Sequence, residues 1–159
     1  MWSWYSFWVF LHLLGVFGFL TAHGVVVGVS FALQKERDPG RIRTLLELSG
    51  SSMLAFYVSL LVLLGGGFAA VGYLHLWDAK WMWLSLGLLV FMSALMSVMV
   101  RPYYQRIRKV MGIQASGSSA VGPEEIEAVM GSGRPMVVAA LGIATLIGIL
   151  YLMVMKPFQ

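Results

Sequence analysis

The sequence predicts an all-α integral membrane protein: a four-transmembrane-helix bundle, N-out and C-out, with both ends of the chain on the extracytoplasmic side. Three observations carry that expectation. Hydrophobic residues fill 59% of the 159 positions and charged residues 11%, at a mean hydropathy of +0.82, so polar surface is too scarce to cover a water-soluble globule. Four continuous apolar stretches each reach the roughly 20 residues needed to cross about 30 Å of hydrocarbon. The chain is also polarised. All six tryptophans (Trp2, Trp4, Trp8, Trp77, Trp81, Trp83) fall at the start of the first stretch or around the junction of the second and third. Nine of the eleven Lys and Arg residues lie in the two other loops, Lys35 to Arg43 and Arg101 to Arg134. Lys and Arg collect in cytoplasmic loops and Trp in interfacial belts, which places the basic loops inside and the tryptophans outside. A β-barrel would alternate apolar and polar residues, and these runs do not.

Helix one is expected over about residues 5–33; it lacks a basic leader and is too long for a cleaved signal, so it is read as retained. Loop one, Gln34 to Ser52, reads as a polar turn around Asp38-Pro39-Gly40 followed by charged residues leading into helix two at about 53–76. Gly65-Gly66-Gly67 in that helix admits a close backbone, a kink or a flat ligand, with packing the favoured use. Helix three is expected over about 81–100. The basic, aromatic run Arg101 to Lys109 extends it against the headgroups, and Ala115 to Ala120 is a flexible linker. Pro123, Glu124, Glu125 and Gly131 mark a short cytoplasmic helix over about 123–130, before helix four at about 136–155. Small residues four apart let helices approach in lipid, and Gly24 with Gly28, Ser93 with Ser97, and Ala140, Ala144 and Gly148 form such ladders.

Composition excludes several functions. Without cysteine there is no disulfide, thiolate ligand or Cys nucleophile. The pI of 9.6 is explained by basic residues beside helix ends, so no nucleic acid is expected as a partner. No Asp or Glu lies within a span to relay protons, and no phosphate- or dinucleotide-binding fingerprint occurs. No catalytic residue is assigned, and independent catalysis is not expected.

The three histidines are therefore the candidates for chemistry, because ionisable groups in spans are costly. His12 and His23 are eleven positions apart, within about 20° of three full turns, and share a face of helix one about 16 Å apart along its axis. Counting from segment midpoints places His12 and His75 in one outer layer, roughly 13 and 15 Å from mid-membrane, and His23 roughly 4 Å to the cytoplasmic side. Two neutral imidazoles with Trp8, Trp77 and Trp81 nearby would suit haem or another flat redox group. In the inner layer, Met92, Met96 and Met99 share a face of helix three, and thioethers with His23 would suit Cu(I). Interfacial aromatic belts and methionine core filling account for both patterns without a ligand.

Leu11-His12-Leu13-Leu14-Gly15, Arg37-Asp38-Pro39-Gly40-Arg41, Gly66-Gly67-Phe68-Ala69-Ala70 and Trp81-Met82-Trp83-Leu84 resemble a family of small bacterial four-span membrane proteins. That family is distantly similar to the copper-resistance-D-like proteins and the HemJ-type protoporphyrinogen oxidases. The resemblance covers most of the chain up to about Arg108. It implies a haem or metal role for the helix-one histidine, here His12, and carries nothing onto His23 or His75.

The function expected from these residues is binding of haem b, or a similar redox ligand, near the extracytoplasmic side through His12, with His75 as a second ligand. It would serve electron transfer or a membrane redox complex in the bacterial inner membrane. The alternatives are copper handling through His23, Met92 and Met96, or a cofactor-free structural subunit. The lipid bilayer is the expected partner, with homo-oligomers or a larger membrane complex open.

Overall fold

The computed structural model describes residues 3–110 and 134–157, and in them the chain forms four α-helices and no strand. They are α1 (Trp4–Lys35), α2 (Pro39–Tyr73), α3 (Lys80–Val110) and α4 (Arg134–Met155). The linker and short helix expected between 115 and 130 lie outside the described residues. α1, α2 and the Met136–Met155 stretch of α4 are long and apolar enough to cross a membrane, and α3 carries a shorter apolar stretch, Lys80–Met96. Many large apolar side chains face outward, among them Leu54 at 72% exposure and Val98 at 73%, as lipid-facing residues should.

The first correction concerns loop one, which shrinks to Glu36, Arg37 and Asp38. Asp38 caps α2 by accepting a hydrogen bond from the Arg41 amide at 2.8 Å, and Pro39 occupies the first turn, where its missing N–H costs nothing. Residues 39–52 are therefore helical. Hydropathy hides this stretch because its exposed face is charged, while Ile42, Leu46 and Ser49 are buried. Glu36 closes the turn: its carboxylate accepts from the Arg37 and Asp38 amides at 2.9 and 3.0 Å and lies 3.7 Å from the Arg41 guanidinium. Those two amides, with the Arg41 charge, hold its carboxyl below the usual value.

α1 and α2 form a long antiparallel pair, α3 packs along α4, and α1 touches α4 more briefly. Glycine sets the α1–α2 register. A methyl group at Gly66 would stand 2.6 Å from the His12 amide nitrogen, and one at Gly15 would collide with the Leu63 backbone. Tyr5 stacks on Tyr73 at 6.3 Å toward one end, and Phe19 meets Phe56 at 4.8 Å toward the other.

The ladders named from sequence are not the close contacts. Gly24, Gly28 and Gly148 face open space and Ala140 and Ala144 are exposed, because a flat stripe does not reveal which neighbour it meets. Ser93 spends its hydroxyl on the Leu89 carbonyl of its own helix, at 2.8 Å.

At the basic end, α3 continues as a helix through Pro102. Tyr104 and Ile107 are buried with Val26, Val29 and Leu33 of α1 and Ile42 and Leu46 of α2. The extension is thus anchored on the α1–α2 hairpin through this face. The Tyr104 hydroxyl lies 2.8 Å from Ser30 Oγ and donates to the Val26 carbonyl at 3.1 Å.

Candidate functional site

His12 occupies a seat made by α2. Its Nδ1 lies 2.8 Å from the Leu63 carbonyl oxygen. A carbonyl only accepts, so Nδ1 carries the proton and Nε2 keeps its lone pair. Gly67 gives the ring its room: a methyl group there would sit 2.9 Å from Nδ1 and 3.2 Å from Cε1. Gly66 lets the α1 backbone approach at the same level, against His12 and the Trp8 carbonyl. Gly65, the third of the run, faces open space. His12 and Trp8 are both half-buried, one turn apart on α1, and Nε2 makes no hydrogen bond among the described residues. An imidazole held by Nδ1–H on a backbone carbonyl, with Nε2 unengaged, is the orientation that metal-ligating histidines share.

His75 sits elsewhere. It is exposed and lies just past the end of α2 at φ 54°, the left-handed position usually filled by glycine. Its amide bonds to the Gly72 carbonyl at 3.3 Å and the Leu76 amide to the Val71 carbonyl at 3.0 Å, with Leu76 packed on the Val71 cluster. This is a Schellman cap, with histidine in the left-handed residue.

The Tyr5–Tyr73 stack fixes its level: His75 lies beyond Tyr5, which is seven residues, about 10 Å, along α1 from His12. The expectation of one layer holding both imidazoles is therefore corrected. It counted from hydropathy midpoints, whereas glycine contacts set the actual register.

The outer tryptophans are engaged in holding the α2–α3–α4 end together. Trp77 stacks on Phe68 at 6.3 Å and rests over Gly72, and Trp83 Nε1 donates to the Trp77 carbonyl at 2.8 Å. Trp81 is buried with Val71 and Met82, and Lys156 lies over its ring at 5.9 Å. Trp77 and Trp81 both join this packing.

Of the inner residues, His23 and Met92 both approach Gly142 of α4. His23 is 8% exposed, stacks on Phe19 at 6.1 Å and 2° between planes, and has a buried Nδ1 without a hydrogen-bond partner among the described residues. The Cβ position of Gly142 on α4 lies 3.5 Å from His23 Nε2 and 3.6 Å from the Met92 methyl carbon. Met92 is buried and Met96 half-buried one turn further along α3. Among the described residues no three His, Asp or Glu side chains gather as a metal site.

Sequence reasoning did not single out Leu63, Gly142, Tyr104 or Ser30. Leu63 acts through its backbone, which no pattern of side chains reveals. Gly142 was hidden behind the Ala140–Ala144–Gly148 ladder. Comparison with protein-family models, curated proteins and solved structures gives no match.

Proposed function

We propose that this chain is a four-span inner-membrane protein that binds haem b, or a similar redox ligand, through His12 and serves electron transfer within a membrane redox complex. The observation that supports it is the His12 seat: a half-buried imidazole with Nδ1–H on the Leu63 carbonyl, room made by Gly67, and Nε2 unengaged among the described residues. Three apolar helices support membrane insertion. The 31 residues of α3 rise about 46 Å, enough to cross as the fourth span. The distribution of Lys and Arg orients both ends of the chain outward, and the residues resembling the bacterial four-span family point to the same membrane and to His12.

The residues fit the group through one ligand. His12 would supply an imidazole nitrogen to hold the group and Trp8, one turn away, an aromatic wall. Bound there, haem supplies one-electron redox chemistry. This chain orients the ring through Leu63 and, through the α1–α2 glycine contacts, holds the seat in place. His75, as a helix cap about 10 Å away along the axis, is left out of the ligand set.

The protein purified from its membrane in detergent is expected to show a Soret band, or to acquire one on haem titration, with His12→Ala abolishing it. No band in either case would end the proposal.

A further inference from the structure

The inner cluster carries a second site. We propose that His23 and Met92, with Met96 along the same face of α3, bind a soft monovalent cation, Cu(I) in the cell, between α1, α3 and α4. The inference is independent of the His12 proposal.

Two observations carry it. The first is that His23, more than nine-tenths buried, leaves Nδ1 without a partner among the described residues, while Nε2, the other ring nitrogen, is the one that faces Gly142. An orphaned buried polar atom costs about 1–3 kcal/mol, a cost this imidazole carries with or without an ion on Nε2, and it marks a histidine kept in the interior for a role that needs it. The second is convergence. His23 Nε2 from α1 and the Met92 methyl group from α3 approach the same point beside Gly142 of α4, 3.5 and 3.6 Å from where its Cβ would stand.

The hydroxyls adjacent in sequence are spent on their own helices: Thr21 on Phe17, Ser93 on Leu89 and Thr145 on Leu141, each at 2.8 Å. A water there would need two or more polar partners, and the neighbours are a phenyl ring, a thioether and a glycine.

The chemistry of the donors selects the ligand. Hard divalent ions require oxygen donors, and the sequence places no carboxylate in the spans. A divalent zinc held by neutral donors would bring two uncompensated charges into hydrocarbon. Thioether and imidazole are both neutral, and they match a soft ion carrying a single charge.

The test uses the full-length protein in detergent with Ag(I), a redox-inert probe for the same donors. About one equivalent is expected to remain bound after desalting, with affinity falling about 10- to 100-fold in Met92→Leu and His23→Gln. His12→Ala is expected to bind Ag(I) unchanged; loss of binding there would assign the ion to the outer histidine and overturn the proposal. So would wild-type protein that retains no silver, or undiminished affinity in Met92→Leu.

Met92→Leu nearly conserves volume, which favours its folding. Should it fail to fold, the selenomethionine-labelled wild type answers without any substitution. Ag–Se scattering alongside a nitrogen shell in X-ray absorption is the expected signature, and its absence rejects the site.

Discussion

Adjacent glycines in α2 should respond to the same substitution with opposite signs. Replacing glycine by alanine inside a helix gains about 0.8–1 kcal/mol from backbone propensity. At Gly65 nothing lies within 4 Å of the new methyl group, so that gain should appear undiminished. At Gly67 the methyl group meets His12 Nδ1 at 2.9 Å and Cε1 at 3.2 Å. The ring must turn away, which gives up the Leu63 bond, about 0.5–1.5 kcal/mol, and adds overpacking of about 1–3 kcal/mol. After the propensity gain, Gly67→Ala should lose about 0.5–3.5 kcal/mol. At Gly66 the obstacle is backbone, the His12 nitrogen at 2.6 Å and the Trp8 carbonyl at 3.0 Å, and no rotamer change relieves it. The two helices must separate there, and the loss should exceed that at Gly67. Unfolding of purified variants by denaturing-detergent titration, followed by helical circular dichroism, gives the order directly. If Gly66→Ala proved as stable as Gly65→Ala, the α1–α2 register and the His12 seat built on it would both be refuted.

Other outcomes follow from single contacts. His75→Gly removes a side chain from the left-handed position and should leave stability unchanged or raise it by up to about 1 kcal/mol, with any haem absorbance retained; a marked loss would show that the imidazole does more than cap. Tyr104→Phe deletes the hydroxyl shared with Ser30 and Val26 and should cost about 1–2 kcal/mol in the same titration, whereas a neutral result would mean those bonds are not formed. The Glu36 carboxyl titrates below its ordinary value of 4.5, so its bonds stabilise the α1–α2 turn above that pH and are lost as pH falls through the lowered value. Protection of the Arg37 and Asp38 amides from exchange, relative to the intrinsic rate at each pH, should fall in that acid range, and in Glu36→Gln this loss should vanish; pH-independent protection in the wild type would contradict the assignment.

The helices were legible where apolar residues run without interruption, as in α1 and α4, because hydrocarbon demands such runs of any span. The first third of α2 was not, since a helix whose outer face is charged and whose inner face buries Ile42 and Leu46 has no hydropathy signature. The site was legible as ingredients. His12, the glycine run, His23 and Met92 all stand out by residue type. Their pairing depended on register, and register came from which glycines touch: Gly15, Gly66 and Gly67 meet a neighbouring backbone or ring, while Gly24 and Gly28 meet nothing. Spacing alone cannot separate those two sets. His75 drew attention as an ionisable residue near a span, yet Val71 and Leu76 flanking it at the separation of a Schellman cap were the more telling signal.

His12 and His23 lie on one face of α1, yet they depend on different partners. Everything shown to hold His12 belongs to α2: the Leu63 carbonyl, Gly66 and Gly67. The contact shown for His23 outside α1 is with Gly142 of α4, where Met92 of α3 also arrives. Spans in a bilayer form as helices first and associate afterwards, held by close packing rather than by a hydrophobic drive. The outer seat therefore needs only the α1–α2 pair, whose backbones are in contact. The inner cluster needs the α3–α4 pair to dock on α1, along the briefer α1–α4 contact. A ligand that bridges His23 and Met92 would add a link across that weaker seam, which gives the orphaned imidazole a structural consequence as well as a chemical one: occupancy would tighten the association of the two hairpins while leaving the geometry at His12, about 16 Å away along α1, undisturbed.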